Sequence, residues 1–280
     1  MSTPIIAVFG ATGAQGGSVV RYLKENGGYR VRALTRNLSN YDGPADEAAA
    51  ADLDDAHSVS EALKGAYGVF LVTNFWQEGT DETAQAKTAI GAARRADIKH
   101  FVWSSLPDVA AISNGKWEVP HFTNKARIDP INPNARVIHM AAIAEFGSLV
   151  DGAFSNPDKS NGKTLSMAAG LYSFADIAEA YNSTSEKHTV LQVSQEAYAG
   201  FYPGAGEIGQ MLGYFEDHTY MGPNASQRLD DANDITSAPF TPFAEWLATN
   251  ISQRSSATNT DPLVQAKRKK RGNYGRNHPD

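Results

Sequence analysis

The sequence contains no cysteine among its 280 residues. This absence excludes a disulfide-stapled scaffold, a zinc site with thiolate ligands and a cysteine nucleophile. The chain also lacks an apolar run near the roughly 20 residues that a membrane span needs, and its first residues do not resemble a signal peptide. We therefore expect a soluble intracellular protein with no membrane partner and no metal, located in the cytoplasm or, alternatively, in the nucleus.

Acidic residues outnumber basic residues in the body of the chain, whereas basic residues predominate at its end. The formal net charge is -6, and residues 251–280 contribute seven basic and two acidic residues, which leaves -11 for the remainder. An acidic body does not favour direct binding to nucleic acid. Residues 252–280 are too polar to fold alone and are predicted to form a disordered basic tail. Its cluster at 267–271 is typical of nuclear-import or polyanion-binding segments, or of a solubilising terminus.

One stretch near the amino terminus has the pattern of a nucleotide-binding turn. Residues 5–9 form an apolar run typical of a strand buried on both faces, and residues 18–26 have helical periodicity. Gly10, Gly13 and Gly16 lie between or at the edges of these segments. Glycine allows a tight turn and close approach of a pyrophosphate, which the helix amino terminus attracts. Because the spacing is GxxGxxG and not GxGxxG, the prediction depends on the flanking strand and helix.

Strand-like and helix-like segments continue to alternate through the first half of the chain. Five strands separated by helices predict an α/β fold with a Rossmann-type, doubly wound parallel sheet, occupying residues 1–130. The four further predicted strands cover residues 29–35, 45–53, 67–73 and 99–105.

Arg36 follows the second predicted strand directly. At this position an acidic residue selects NAD, whereas an arginine accommodates the 2′-phosphate of NADP. No acidic residue adjoins Arg36, so we favour NADP (NADPH or NADP+) over NAD. The alternative is an exposed arginine at a strand end without this role.

The alternating pattern breaks after Lys125. The sequence ARIDPINPNA contains two prolines and is too short for a sixth strand with its connections, so the sixth strand is predicted to be missing. Residues 131–251 are expected to form a smaller C-terminal α+β lobe that contributes in part to the sheet. Its predicted strands are 136–140, 163–167 and 188–193, and its predicted helices are 142–154, 173–182, 207–215 and 243–251.

The motifs GATGAQGGSVV, VRALTRN, DLDD, FLVTNFW, HFVWSS and HFTNK, followed by PGAGEIGQMLGYFE, resemble the NmrA-like family of atypical short-chain dehydrogenases/reductases over residues 4–250. This resemblance implies an NADP-binding Rossmann domain with a smaller C-terminal lobe. With Gly16 of the glycine turn, the implied cofactor-binding residues are Gly10, Ala11, Thr12, Gly13, Ala14, Gln15, Arg36, Asp52, Leu53, Thr73, Asn74, Phe75, Trp76, Lys87 and Lys125. Among them, the resemblance implies contacts near the adenine for Asp52 and Leu53, and contacts beside the inner phosphates and the nicotinamide ribose for residues 73–76.

The chain departs from the superfamily at its proton donor. Active short-chain dehydrogenases use a Tyr-x-x-x-Lys pair, and no tyrosine in this chain has a lysine four residues later. His121 stands four residues before Lys125, much as in NmrA-like members regarded as redox sensors. His121 is therefore a candidate general acid, with packing or hydrogen bonding as the alternative, and Lys125 is the implied ribose-binding and catalytic candidate.

The second departure is the gap after Asp129. The family normally continues with a helix, a sixth strand and an aromatic loop that covers the nicotinamide. A genuine loss, a splice variant and a gene-prediction error are the alternatives, and the nicotinamide pocket is the part that each would affect.

These observations favour an NADP(H)-binding, redox-sensing regulator that acts on a protein partner, for example in transcriptional regulation, without efficient catalysis. The alternative is an NAD(P)H-dependent oxidoreductase of the quinone or carbonyl reductase type, because hydride transfer belongs mainly to the cofactor. A third reading is a chain whose fifth strand leaves an open, aggregation-prone sheet edge. A homodimer is compatible with each.

Overall fold

The computed structural model describes residues 3–77, 79–126, 138–183 and 198–257. Its main feature is a five-stranded, all-parallel sheet in the order β3-β2-β1-β4-β5. The buried strand β1 lies at the centre, as its uninterrupted apolar sequence predicts. The strands are β1 (Ile5–Phe9), β2 (Arg30–Thr35), β3 (Glu47–Ala50), β4 (Gly68–Leu71) and β5 (His100–Trp103).

Helices cover both faces of this sheet, which confirms the predicted doubly wound α/β fold. Helices α1 (Ala14–Asn26) and α6 (Phe146–Ser155) pack on one face, and α2 (Ala56–Ala62) and α3 (Glu82–Arg95) pack on the other. Two short helices, α4 (Val109–Ile112) and α5 (Pro120–Ala126), follow β5.

The remaining elements form the C-terminal lobe. A two-stranded antiparallel sheet pairs β6 (Ile138–Met140) with β7 (Gly170–Tyr172). The helices after α6 are α7 (Pro157–Ser160), α8 (Phe174–Asn182), α9 (Ala205–His218), α10 (Ala225–Asn233) and α11 (Phe243–Ala257). Single 3₁₀ turns occupy Leu38–Asn40 and Ile143–Glu145.

Three details of the lobe differ from the sequence prediction. The predicted strand at 163–167 is wrong: the second strand of the small sheet is β7. Helix α10 was not predicted, and the last helix continues to Ala257, beyond the predicted start of the tail at 252. The predicted strand at 188–193 lies outside the described residues.

Helix α6 joins the lobe to the nucleotide half through two close glycine contacts. A Cβ added at Gly147 would overlap the carbonyl oxygen of Ser18 in α1, and one added at Gly152 would overlap the carbonyl oxygen of Ile235. The Ser18 hydroxyl donates to the Ala144 carbonyl at 2.6 Å. Only a residue without a side chain lets two backbones approach this closely.

Strand β5 forms one edge of the parallel sheet. Among the described residues, no sixth strand pairs with it. Val102 of β5 packs against a buried cluster of Leu149, Ala153, Ala232 and Ile235. Leu165 and Met167 of the lobe pack against the same cluster. Within the described residues, none of the helices has both the length and the apolar character needed to cross a bilayer.

Candidate dinucleotide site

The glycine turn between β1 and α1 is held in a conformation that requires glycine. Gly10 has φ +66°, in the left-handed region, and its carbonyl oxygen accepts a hydrogen bond from the Gly13 N–H at 2.8 Å. A Cβ at Gly16 would overlap that same carbonyl oxygen. Helix α1 therefore starts directly against the turn, four residues earlier than the predicted 18–26 segment.

The first turn of α1 offers donors for an anion. Its N-cap residue, Gly13, makes no side-chain cap, and the turn contains no acidic residue. The amides of Ala14, Gln15 and Gly16 have no acceptor within the helix, because the first N–H groups of an α-helix have none. Thr12, Gly13 and Ala14 are exposed, whereas Ala11 is buried in the core. These backbone donors, the exposed turn residues and the lack of an acidic residue in the first turn of α1 form a cradle that fits a pyrophosphate.

A hydrogen bond ties this turn to the far side of the site. The Ser104 hydroxyl, just after β5, donates to Gln15 Oε1 at 2.9 Å. This bond connects the segment after β5 to the first turn of α1, which follows β1. Both lie at the carboxyl end of the sheet, where ligands bind in doubly wound folds.

Arg36 follows the last residue of β2 and is exposed. Its neighbours within the strand, Arg30 and Arg32, both pair with Glu47, whereas no ion pair forms between Arg36 and any described residue. The Arg36 guanidinium is thus available for a phosphate, the group that arginine binds most specifically.

Asp52 and Leu53 lie just beyond β3, which ends at Ala50. Asp52 Oδ1 accepts from the Asp54 N–H at 3.1 Å, and the Asp52 N–H donates to the Ser58 hydroxyl at 3.0 Å. Leu53 packs against the sheet core. These bonds fix the loop conformation next to the predicted adenine position.

The loop after β4 carries the next predicted group of residues. The buried Thr73 hydroxyl donates to Glu82 Oε1 at 2.6 Å, which fixes the loop to the start of α3. Asn74 Oδ1 accepts from the Trp76 N–H at 3.1 Å. The Phe75 and Trp76 rings meet edge to face with centroids 5.2 Å apart, and Trp76 is 64% exposed.

His121 of α5 packs against these two aromatic rings. Its ring centroid lies 5.1 Å from that of Trp76 and 5.7 Å from that of Phe75. Its Nδ1 lies 2.7 Å from Oε1 of Glu207, in the first turn of α9. Glu207 is not among the residues predicted from the sequence, because a contact across 86 residues leaves no local signal.

Most of the predicted residues lie at the carboxyl edge of the sheet. The two predicted lysines are described separately. Lys87 is exposed on α3 and makes no ion pair within the described part of the chain. Lys125 belongs to α5, one turn after His121, and its side chain lies outside the described residues.

A separate cavity of about 520 Å³ opens in the C-terminal lobe. It contains none of the predicted site residues. Its lining consists of Ala168, Ala169, Asn233, Thr236, Ser237, Ala238, Pro239 and Phe240.

A parallel five-stranded sheet with a glycine turn leading into α1 defines a Rossmann-type α/β protein. Residues 2–130 match the model of the NmrA-like family. This part of the chain is therefore similar to the NmrA-like family, in agreement with the resemblance that its motifs indicated.

Among curated proteins, the chain is similar to an NmrA-like family domain-containing oxidoreductase, FrzB, from Cladobotryum sp. The two are 27% identical over 250 aligned residues, which cover 66% of this chain and 74% of the relative.

Solved structures of this fold include a regulator and a reductase. NmrA, described as a negative transcriptional regulator in complex with NADP, has a TM-score of 0.70 at 18% identity, covering 94% of this chain and 99% of NmrA. Citrobacter sp. triphenylmethane reductase, complexed with NADP(H), has a TM-score of 0.66 at 19% identity, covering 87% of this chain and 99% of the reductase. These likenesses establish the shared fold.

Proposed function

We propose that this chain is an NADP(H)-binding protein that senses the redox state of the cofactor and does not turn it over efficiently. The observation that carries the proposal is the glycine turn. Gly10 in the left-handed region, the close approach of Gly16 and the uncapped start of α1 together make a phosphate cradle. The preference for NADP is supported by Arg36, which is exposed and free of ion pairs with described residues.

A regulatory role is supported by what the chain lacks and by what it resembles. The Tyr-x-x-x-Lys pair is absent from the sequence, so the usual proton donor and its neighbouring cation are missing. NmrA, which shares the fold, is described as a negative transcriptional regulator. We propose a protein partner that recognises the cofactor-bound form, and a nuclear location through the basic cluster 267–271.

A second candidate function is favoured by the name of a relative and by one contact. FrzB is named as an oxidoreductase, and His121 pairs with Glu207 beside Phe75 and Trp76. When bound, NADPH supplies the hydride. In this candidate, the chain itself binds and orients the cofactor, and His121 supplies the proton.

Turnover measurements distinguish the two functions. The purified chain is assayed for NADPH oxidation with quinone and carbonyl acceptors, alongside a binding titration. Saturable NADPH binding with turnover far below the roughly 1–1000 per second of ordinary enzymes supports the sensor. Turnover in that range overturns the sensor and supports the reductase.

Three variants then test the reductase assignment. If His121 and Lys125 take part, His121→Ala and Lys125→Met lower turnover, whereas His57→Ala, an exposed histidine on α2, leaves it unchanged. Unchanged turnover in the first two variants would show that these residues have no part in it.

A further inference from the structure

Glu207 makes two contacts with a single residue of α5. Its Oε1 lies 2.7 Å from Nδ1 of the His121 ring and accepts, at 3.5 Å, from the His121 backbone N–H. The His121 side chain is 12% exposed and that of Glu207 is 24% exposed. One carboxylate therefore anchors both the ring and the start of the helix that carries it.

The carboxylate dictates the state of the imidazole. An ionised carboxylate is only an acceptor, so a neutral His121 ring carries its hydrogen on Nδ1 when it bonds to Glu207. The other ring nitrogen, Nε2, is then the acceptor. The first turn of α9 also suits a negative charge, because the helix dipole is positive at that end.

The ring held in this way lies against the loop after β4. Trp76 and Phe75, whose centroids are 5.1 and 5.7 Å from that of His121, belong to the group predicted to border the inner phosphates and the nicotinamide ribose. The ring of Phe122, which is buried, also packs edge to face with the His121 ring, with centroids 4.9 Å apart.

We propose that Glu207 is a positioning residue for His121. It fixes the ring beside Trp76 and makes Nε2 the nitrogen that exchanges a proton with a molecule bound at the carboxyl end of β4. The proton exchange with a bound molecule rests on the proposed dinucleotide-binding function. The effect of Glu207 on the position and tautomer of the His121 ring does not, because it is expected in the protein without cofactor.

A matched control is present on the same helix. Asp217, near the carboxyl end of α9, accepts from Trp117 Nε1 at 2.8 Å and pairs with Lys116 at 2.5 Å. Removing its carboxylate breaks a comparable tie between α9 and the segment before α5, without touching the His121 ring.

The test is ¹⁵N NMR of histidine-labelled full-length protein without cofactor, at about pH 8.5, where an ordinary imidazole is neutral. The wild type, Glu207→Gln, Glu207→Ala and Asp217→Ala are compared, and His121→Asn identifies the His121 signals. We expect the Nδ1–H tautomer in the wild type and in Glu207→Gln, whose amide oxygen still accepts. In Glu207→Ala the Nε2–H tautomer gains population, and Asp217→Ala matches the wild type.

An Nε2–H tautomer in the wild type would overturn the proposal, as would an unchanged tautomer in Glu207→Ala or the same change in Asp217→Ala. If Glu207→Ala does not fold, the wild type and Glu207→Gln decide the outcome, because loss of the Nδ1–H form in either contradicts the proposal. A parallel NADPH titration separates the two claims: absence of binding overturns the proposed function and leaves the tautomer result readable.

Discussion

The nucleotide half and the C-terminal lobe are held together in different ways. In residues 3–126, strands and helices alternate along most of the chain and pack into two apolar cores, one on each face of the sheet, so most contacts follow from a repeated strand-helix pattern. In the lobe, single contacts between distant residues decide the arrangement, such as Gly152 against Ile235 and Glu207 against His121. Sequence periodicity therefore encodes the first half far better than the second.

The largest expected effects come from filling one close glycine contact in each region. Gly16→Ala and Gly152→Ala each place a Cβ onto a backbone carbonyl oxygen, that of Gly10 and that of Ile235 respectively. We expect each to lower the free energy of unfolding by about 3 kcal/mol, as overpacking against rigid backbone does. Urea unfolding measures this loss.

The two variants separate the regions by their effect on cofactor binding. Under conditions in which both variants are folded, Gly16→Ala should lose NADPH binding, whereas Gly152→Ala should keep it. Gly28→Ala is the control, because a Cβ there meets no atom within 4 Å. Equal NADPH affinity in Gly16→Ala and the wild type would contradict the assigned cradle.

The second effect concerns acid stability and originates in the lobe. Burial, with a smaller contribution from Arg228, lowers the pKa of His139 from its ordinary value to about 4. The unfolded chain then binds more protons than the folded one between pH 6.5 and 4, so stability falls as the pH falls through this window. The loss of unfolding free energy reaches at most about 3.4 kcal/mol, at 1.36 kcal/mol per pKa unit.

Urea unfolding at several pH values tests this expectation. His139→Asn should flatten the dependence between pH 6.5 and 4, while His57→Asn, at an exposed position, should not. Burial also lowers the pKa of His100, so part of the slope remains in the first variant. An unchanged slope in His139→Asn would show that this histidine is not the source.

The predictable parts of the fold share a local signal. Strand β1 was predicted with its observed bounds, because an apolar run followed by glycines marks a buried strand and a tight turn. The predicted strand at 163–167 is wrong, and the reason is physical. Its Leu165 and Met167 alternate as in a strand and pack against the same buried cluster as Val102, yet no ladder forms there. Alternation indicates burial of one face and cannot indicate a hydrogen-bonded neighbour.

Two other features had too weak a signal. Strand β7 has three residues, one of them glycine, and helix α10 is largely polar with Ala232 as its buried residue. At the candidate site, the glycine turn and Arg36 could be proposed from the sequence because each follows a predicted strand directly. Glu207 was not, since its partner lies 86 residues away.

The third effect returns to the nucleotide half. Arg36→Ala should weaken NADPH binding by about 10- to 100-fold, since a charge-assisted hydrogen bond contributes about 1.5–3 kcal/mol, and should leave NADH binding unchanged. Arg30→Ala, at the other end of β2, is the matched control. Isothermal titration calorimetry with both cofactors measures this; an equal loss for NADPH and NADH would place Arg36 away from the 2′-phosphate.

The smallest effect is at the contact between the regions. Burial raises the pKa of Asp151 in α6, which accepts from Asn26 of α1 and from Ser237. The folded state holds its proton more tightly, so this group's contribution to stability falls as the pH rises above its ordinary value near 3.9. Asp151→Asn should remove that dependence and change stability at pH 7 by less than about 1 kcal/mol. Urea unfolding at pH 4 and 7 measures it, and an unchanged pH dependence would contradict the assignment.

The central claim is that the turn at Gly10 and the cation at Arg36 form an NADP(H) site. Its most direct test is a titration of the wild-type chain with NADPH, NADP+, NADH and NAD+, following tryptophan fluorescence with Trp76→Phe as the comparison. We predict saturable changes that are carried largely by Trp76, and tighter binding of both phosphorylated forms. Equal affinity for phosphorylated and unphosphorylated forms, or no saturable change with any of the four, would contradict the claim.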